Sequence, residues 1–380
     1  IPQDALPLHE SINFVIELFS SDGEHIKTVE SPGFVPEIHE TVTAEEQDSD
    51  DIFSFQFDED AIILHVNMHA DATAVTVNGN AMQPEMEYTS DGIAIIVPKT
   101  ACLPNQPNNI TVELLSNTGE LMQTMEIKGL VYNYHTTLDI NTLSGFTEVE
   151  YIYLFGPDRI TGDLSALSGM KNLKELNLLD CQFISGELDA LKDLVSLERL
   201  ILFNCVALEG HLDSLSGLQK LRTLSLYHMG GIHGTLRSLS SLPELQILTI
   251  SECEDIGGTT QDIKAMGNLM NISFESEHLI GNISALTNNA KLNTITLSSP
   301  QLFGDISALS GMRNLEILRL RSDYISGDIS MLSGLNSLEY LSLECPRLQG
   351  DIGLLADLEN LQNLMVSQCP EMTGTVVLAN

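Results

Sequence analysis

Basic residues are scarce in this chain of 380 residues: 17 lysines and arginines stand against 53 aspartates and glutamates, for a net charge of −36. A surface of that sign repels phosphate backbones and anionic headgroups, which excludes nucleic-acid binding and charge-driven membrane attachment. Long apolar runs are also missing. None approaches the roughly 18 residues that a membrane-crossing helix needs, and stretches such as Ala61 to Val66 are only strand-sized. The motifs of catalysis are absent too: no phosphate loop, no G-x-S-x-G elbow, no H-E-x-x-H and no C-x-x-C pair. The expectation is a chain that is not an enzyme and has no cofactor. Because it begins Ile1-Pro2 without a methionine, a leader or anchor ahead of residue 1 is expected to have been removed.

What is present is a repeat. Glycines recur at Gly162, Gly186, Gly210, Gly234, Gly258, Gly281, Gly304, Gly327, Gly350 and Gly374, at spacings of 24 and then 23 residues. A first unit without the glycine starts at Leu138, giving about ten units of 23–24 residues. Counted from each glycine, apolar residues fall at offsets 2, 5, 8, 11, 14 and 16, as in Leu164, Leu167, Met170, Leu173, Leu176 and Leu178. The last pair has the period of a strand, and the steps of three have the period of helical or 3₁₀ turns. One short strand followed by a tight, partly helical return is one coil of a solenoid. The residue two before each glycine is always apolar, from Ile160 to Met372.

The run Leu173-x-x-Leu176-x-Leu178-x-x-Cys181, followed by Ile184-x-Gly186-x-Leu188, resembles the leucine-rich-repeat family, with units similar to its plant-type L-x-G-x-I subclass. The wording of residues 304–311 also resembles bacterial extracellular repeat proteins of the BspA-like and internalin-like kinds. That resemblance implies an α/β solenoid over 132–380 with a concave parallel sheet. It also implies an extracellular or cell-surface location, and a role in adhesion or host contact through a protein or glycan ligand. In internalins the sandwich follows the repeats, whereas here the sandwich-like region precedes them.

Five cysteines (Cys181, Cys205, Cys253, Cys345 and Cys369) sit five residues before the next glycine, where Ser276, Ser299 and Ser322 stand in other units. They read as small side chains of a buried ladder, although a bridge between stacked Cys181 and Cys205 is conceivable. His228 and His233 read as loop residues rather than metal ligands.

Residues 1–131 have a different texture. Alternating runs over 12–19, 25–29, 52–57, 61–66, 74–77, 93–97, 110–115 and 121–127 predict strands, with turn signals such as Asn78-Gly79 between them. This pattern predicts an antiparallel, immunoglobulin-like β-sandwich. Between the strands lies an acidic stretch. Asp48, Asp50, Asp51, Asp58, Glu59 and Asp60 read as a solvated loop, with calcium ligation as the rival.

Offsets 13, 15 and 17 face outward on the expected concave sheet. They bring together Tyr151, Tyr153, Phe155, Leu179, Ile201, Phe203 and Tyr227 on neighbouring strands, an apolar strip of the kind that marks an interaction site. The rival reading has the N-terminal domain cover the strip. Toward the C-terminus, Arg319 and Arg321 offer a site for a carboxylate or sulfate, unless Glu316, Glu339 or Glu344 neutralises them. Recognition of a protein or glycan is the expected function, and a self-associating scaffold or an enzyme's substrate-recruiting accessory is the alternative.

Overall fold

The computed structural model describes residues 137–374 throughout and, ahead of them, 12–19, 25–34, 53–57, 61–66, 71–82, 85–89, 92–98, 101–115 and 121–134. From residue 137 the chain winds as a series of like coils. Each coil contributes a strand of four or five residues to one parallel sheet, for example Tyr151–Phe155, Glu175–Leu179, Arg199–Phe203 and Thr223–Tyr227. Register between neighbours is unbroken: Ile152 pairs with Leu176, Leu176 with Leu200 and Leu200 with Leu224. Leu176 and Leu178 point inward and are fully buried, as are their counterparts coil after coil, so one leucine-lined core runs the length of the solenoid. Each such side chain contributes about 1.5–3 kcal/mol on leaving water.

The returns between strands are 3₁₀ turns rather than α-helices, as in Leu164–Leu167, and the step of three in the sequence explains why. A repeat of three matches three residues per turn. Met170 N–H donates to the Leu167 carbonyl and Leu173 N–H to the Met170 carbonyl, both at 3.0 Å. Among the described residues the one α-helix is Thr260–Ala265, where Thr259 and Asp262 form a capping box. The solenoid is therefore built of strand and 3₁₀ return, not of strand and α-helix.

A second parallel sheet of 11 strands runs beside the first. Its strands are short, such as Ile160–Asp163 and Leu302–Asp305, and carry the repeating glycine. This sheet was not predicted, although the invariably apolar residue before each glycine is its buried side. Gly327 shows why glycine is needed. Its φ is +115°, and a Cβ there would lie 2.6 Å from the Asp305 carboxylate of the preceding coil. Asp305 is fixed in that place because it caps the next 3₁₀ turn, accepting the Ser307 N–H at 2.9 Å. One coil's cap thus packs beneath the next coil's glycine.

The immunoglobulin-like sandwich expected ahead of the repeats is not supported. The predicted strands are present, but their pairing differs. Asp71–Val77, Asn80–Met82, Asn108–Leu115 and Leu121–Tyr134 continue the solenoid's own sheet, which reaches 14 strands. Leu130 to Tyr134 pairs in parallel with Tyr151 to Phe155. The turn at Asn78-Gly79, both at positive φ, is where the dipeptide predicted a hairpin. Asn108, fully buried, ties this extension together: its amide donates to the carbonyls of Leu103, Gln106 and Leu130. Alternation specifies a strand and its inward face, but not its neighbour, and the bare edge of a solenoid sheet is a strong template for pairing.

The chain divides into two compact units. The solenoid with residues 73–83, 100–114 and 121–134 forms one. In the other, Phe53–Phe57, Ala61–Val66, Gly92–Pro98 and Glu85–Thr89 make an antiparallel four-stranded sheet, and Ile12–Phe19 pairs with His25–Phe34. No helix among the described residues is long and apolar enough to cross a membrane.

Candidate ligand-binding face

The outward side chains of the large sheet fall into three columns. The middle column reads Tyr153, Asn177, Ile201, Ser225, Thr249, Ser273, Thr296, Arg319, Ser342 and Met365, each residue beside the next in register. Along it the face changes from large and apolar, through a run of hydroxyls, to charged.

At the N-terminal end the seven predicted residues do lie on adjacent strands, but they are not the openly exposed patch that their types suggest. Tyr151 and Ile201 are buried, at 6% and 5% exposure, and Tyr153, Phe155, Leu179, Phe203 and Tyr227 are half-buried. Their bulk is spent on one another. The rings of Phe203 and Tyr227 stack with centroids 4.8 Å apart and planes within 6°. The strip is framed by polar contacts: Tyr153 donates its hydroxyl to Glu175, Arg199 Nε lies 3.6 Å from the same carboxylate, and Lys174 bridges to Glu150 at 3.1 Å. Burial first, and then the adjacent Glu175 charge, hold the Tyr153 phenol well above its ordinary range. Tyr227 donates to Glu252 at 2.7 Å, and its phenol is pushed up to about 12, chiefly by burial. Asn177, read from sequence as an outward polar residue, is instead buried among these groups at 4% exposure.

At the other end the two arginines part company. Arg321 is neutralised by Glu344, Nε to Oε1 at 3.3 Å, as the ion-pair reading expected. Arg319 has no ion pair among the described residues; its guanidinium lies over the Tyr340 ring, 4.2 Å from the centroid. Tyr340 in turn donates its hydroxyl to Met365 Sδ at 3.0 Å.

The cysteines occupy the bend after the strand and are free thiols. Cys181, Cys205, Cys253 and Cys345 point their sulfurs at strand carbonyls of the preceding coil, those of Leu154, Leu178, Leu226 and Leu320. Serines in the same place turn the other way. Ser276, Ser299 and Ser322 donate to Ile256, Leu279 and Leu302, at the start of the preceding second-sheet strand. Burial pushes Cys253 up to about 11 and Cys345 up to about 12. The structure separates the two histidines: His228 faces Glu252 at 3.0 Å, while His233 sits edge-on to His211, with ring centroids 5.1 Å apart.

The acidic residues weighed as calcium ligands, Asp48, Asp50, Asp51, Asp58, Glu59 and Asp60, lie outside the described residues. Among the described residues no cluster of histidine, cysteine, aspartate and glutamate could hold a metal. Sequence reasoning missed a second set of exposed large side chains, Phe183, Ile280, Phe303 and Tyr324, all on the second sheet. Phe303 and Tyr324 pair across neighbouring strands, and Arg347 covers the Tyr324 ring at 4.5 Å. Only the unrecognised sheet could have revealed them.

No family model and no curated protein sequence matches the chain. Among solved structures, a plant peptide hormone receptor in a complex is similar over 62% of this chain and 47% of its own, at 17% identity and a TM-score of 0.42. An internalin from Listeria monocytogenes is similar over 66% of this chain and 86% of its own, at 20% identity and a TM-score of 0.38. The leucine-rich-repeat ectodomain of a plant membrane receptor kinase from Arabidopsis thaliana is similar over 64% of this chain and 40% of its own, at 14% identity and a TM-score of 0.38. The chain thus spans less than half the length of either plant receptor it matches. What the chain's own coils show is a repeating solenoid with a leucine ladder, a parallel sheet and 3₁₀ returns.

Proposed function

We propose that this chain is a non-catalytic recognition protein of the cell surface or extracellular space, binding a protein or glycan on the concave face of its large sheet. The observation that carries the proposal is the pair Phe203 and Tyr227, stacked and half-exposed in a column whose later positions are Ser251, Glu275, Ser298, Arg321 and Glu344. Other coils carry serine at that position. The repeat itself therefore does not require an aromatic ring there, and the rigid apolar faces of these rings are typical anchors for a partner. Beside them the hydroxyls of Ser225, Thr249, Ser273 and Thr296 supply donors and acceptors that suit a polar ligand backbone or a sugar. No covalent step is involved; affinity comes from complementarity over a preformed curved sheet.

The test is a binding screen of the intact chain against matrix proteins and glycans, repeated with a Phe203→Ser, Tyr227→Ser variant of matched fold. A ligand whose affinity falls at least about tenfold in the variant, the scale of a single anchor residue, supports the proposal. A ligand bound equally by both overturns the placement. Absence of any ligand, together with concentration-dependent dimerisation in sedimentation, would favour the self-associating scaffold instead.

A further inference from the structure

We infer that Arg319 is a receptor for a single carboxylate, carried by a ligand that is otherwise uncharged or basic. The inference rests on the concave sheet being the recognition face, and it names one group that the ligand must carry.

Three features single out this arginine. It is exposed, and among the described residues it has neither an ion pair nor a hydrogen bond, in a chain where acidic groups outnumber basic ones 53 to 17. Chance alone would tend to place a carboxylate beside it, yet the nearby Glu344 is taken by Arg321. Its guanidinium is also held in place without being neutralised. The Tyr340 ring lies beneath it at 4.2 Å, and the Tyr340 hydroxyl is tied to Met365. A guanidinium lying on an aromatic ring keeps its edge, with the paired N–H donors, free for a planar two-oxygen acceptor. Finally, the neighbours in its column are Thr296 and Ser342, in register on either side and without hydrogen-bond partners among the described residues. They line the floor with neutral groups that neither compete for the guanidinium nor repel an anion.

Electrostatics narrows the ligand further. With a net charge of −36 the long-range field opposes anions, so a polyanion such as a sulfated glycan is repelled before contact. At physiological salt that field fades over about 8 Å. The Arg321–Glu344 pair is neutral overall and leaves the Arg319 charge uncancelled by Glu344. A lone carboxylate on a neutral or basic ligand gains the paired hydrogen bonds at close range and little of the repulsion.

The test uses protein labelled with ¹⁵N-arginine, in which the Arg319 Nε–H resonance is identified by its loss in Arg319→Lys. Two probes are titrated at constant ionic strength. N-acetylglutamic acid α-amide presents a side-chain carboxylate, and N-acetylalanine a chain-terminal one. A saturable shift at Arg319, with none at the paired Arg321, is the expected result, and whichever probe binds more tightly identifies the source. Tyr340→Leu removes the ring that holds the guanidinium and should weaken the response about tenfold, on the scale of one cation–π contact. The Phe203→Ser, Tyr227→Ser variant should respond as the parent does, so this site and the apolar strip can fail separately. No shift at Arg319, or an equal shift at exposed Arg313 or with chloride alone, would overturn the inference.

Discussion

The solenoid's two sheets are made by the same coils, yet they treat variation in opposite ways. In the large sheet the middle outward column accepts tyrosine, asparagine, isoleucine, serine, threonine, arginine and methionine without breaking register. In the second sheet one position is glycine in every coil from Gly162 to Gly374, most of them at positive φ above the preceding coil's cap. At that glycine position the second sheet has no room for a side chain, although its other outward positions carry Phe183, Phe303 and Tyr324. That constraint frees the other sheet to carry whatever side chains a ligand requires. Binding chemistry is therefore to be sought on the large sheet first, and stability faults on both.

The largest effect should show the two sheets to be equal. Leu226 lies under the large sheet and Ile232 under the second, and both are fully buried in the same core. Truncation of either to alanine should lower the unfolding free energy by about 2–5 kcal/mol, measured by urea denaturation. A cost at one site only would mean that the sheets are not bound into a single core.

Next comes the corner between the sheets, where the thiols sit. Their folded-state pKa is raised, so the stabilisation is whole below the ordinary thiol value of 9.0 and is lost as pH climbs through about 11 for Cys253 and about 12 for Cys345. For Cys253 that is about 2–3 kcal/mol at most. Denaturation midpoints should fall between pH 9 and 11 in the parent, and less steeply in Cys253→Ser. Identical slopes would remove the thiol from the account.

A smaller contrast separates two glycines of one coil. Gly327→Ala should cost about 1–3 kcal/mol for its backbone strain, whereas Gly334, with open space around it, should accept alanine with little change. Equal thermal midpoints for the two variants would refute the packing of cap beneath glycine. The smallest effect belongs to the large sheet alone. A double-mutant cycle on Phe203 and Tyr227 should give a coupling of about 0.5–1.5 kcal/mol, because the stacked rings help each other and little else. A coupling of zero would make them independent anchors.

The sequence carried much of this architecture because its periods are physical. Offsets 14 and 16 located the inward pair of each strand, and offsets 13, 15 and 17 located the outward columns from Tyr151 to Arg321. What escaped was partnership. Nothing in Leu121 to Ile127 tells a strand that it will join the solenoid rather than a sandwich, since alternation records a face and not a neighbour. The second sheet escaped because one apolar residue and a glycine are too short a pattern to read as a strand. The site was half legible for a similar reason. Residue type placed Tyr151 and Ile201 on the right face, but crowding by long neighbours, which buries them, is a property of three strands together. Likewise only the packing of neighbouring strands distinguishes Arg319, lying on Tyr340, from Arg321, bound to Glu344.

The strand Leu121–Tyr134 is hydrogen-bonded in parallel to Tyr151–Phe155, so the first coil does not begin on bare solvent. In a chain made from its N-terminus, residues 121–134 leave the ribosome before the repeats do. A coil that stacks on a neighbour already in place has only its own few residues to order. The neighbour on which the first coil stacks thus lies outside the repeats.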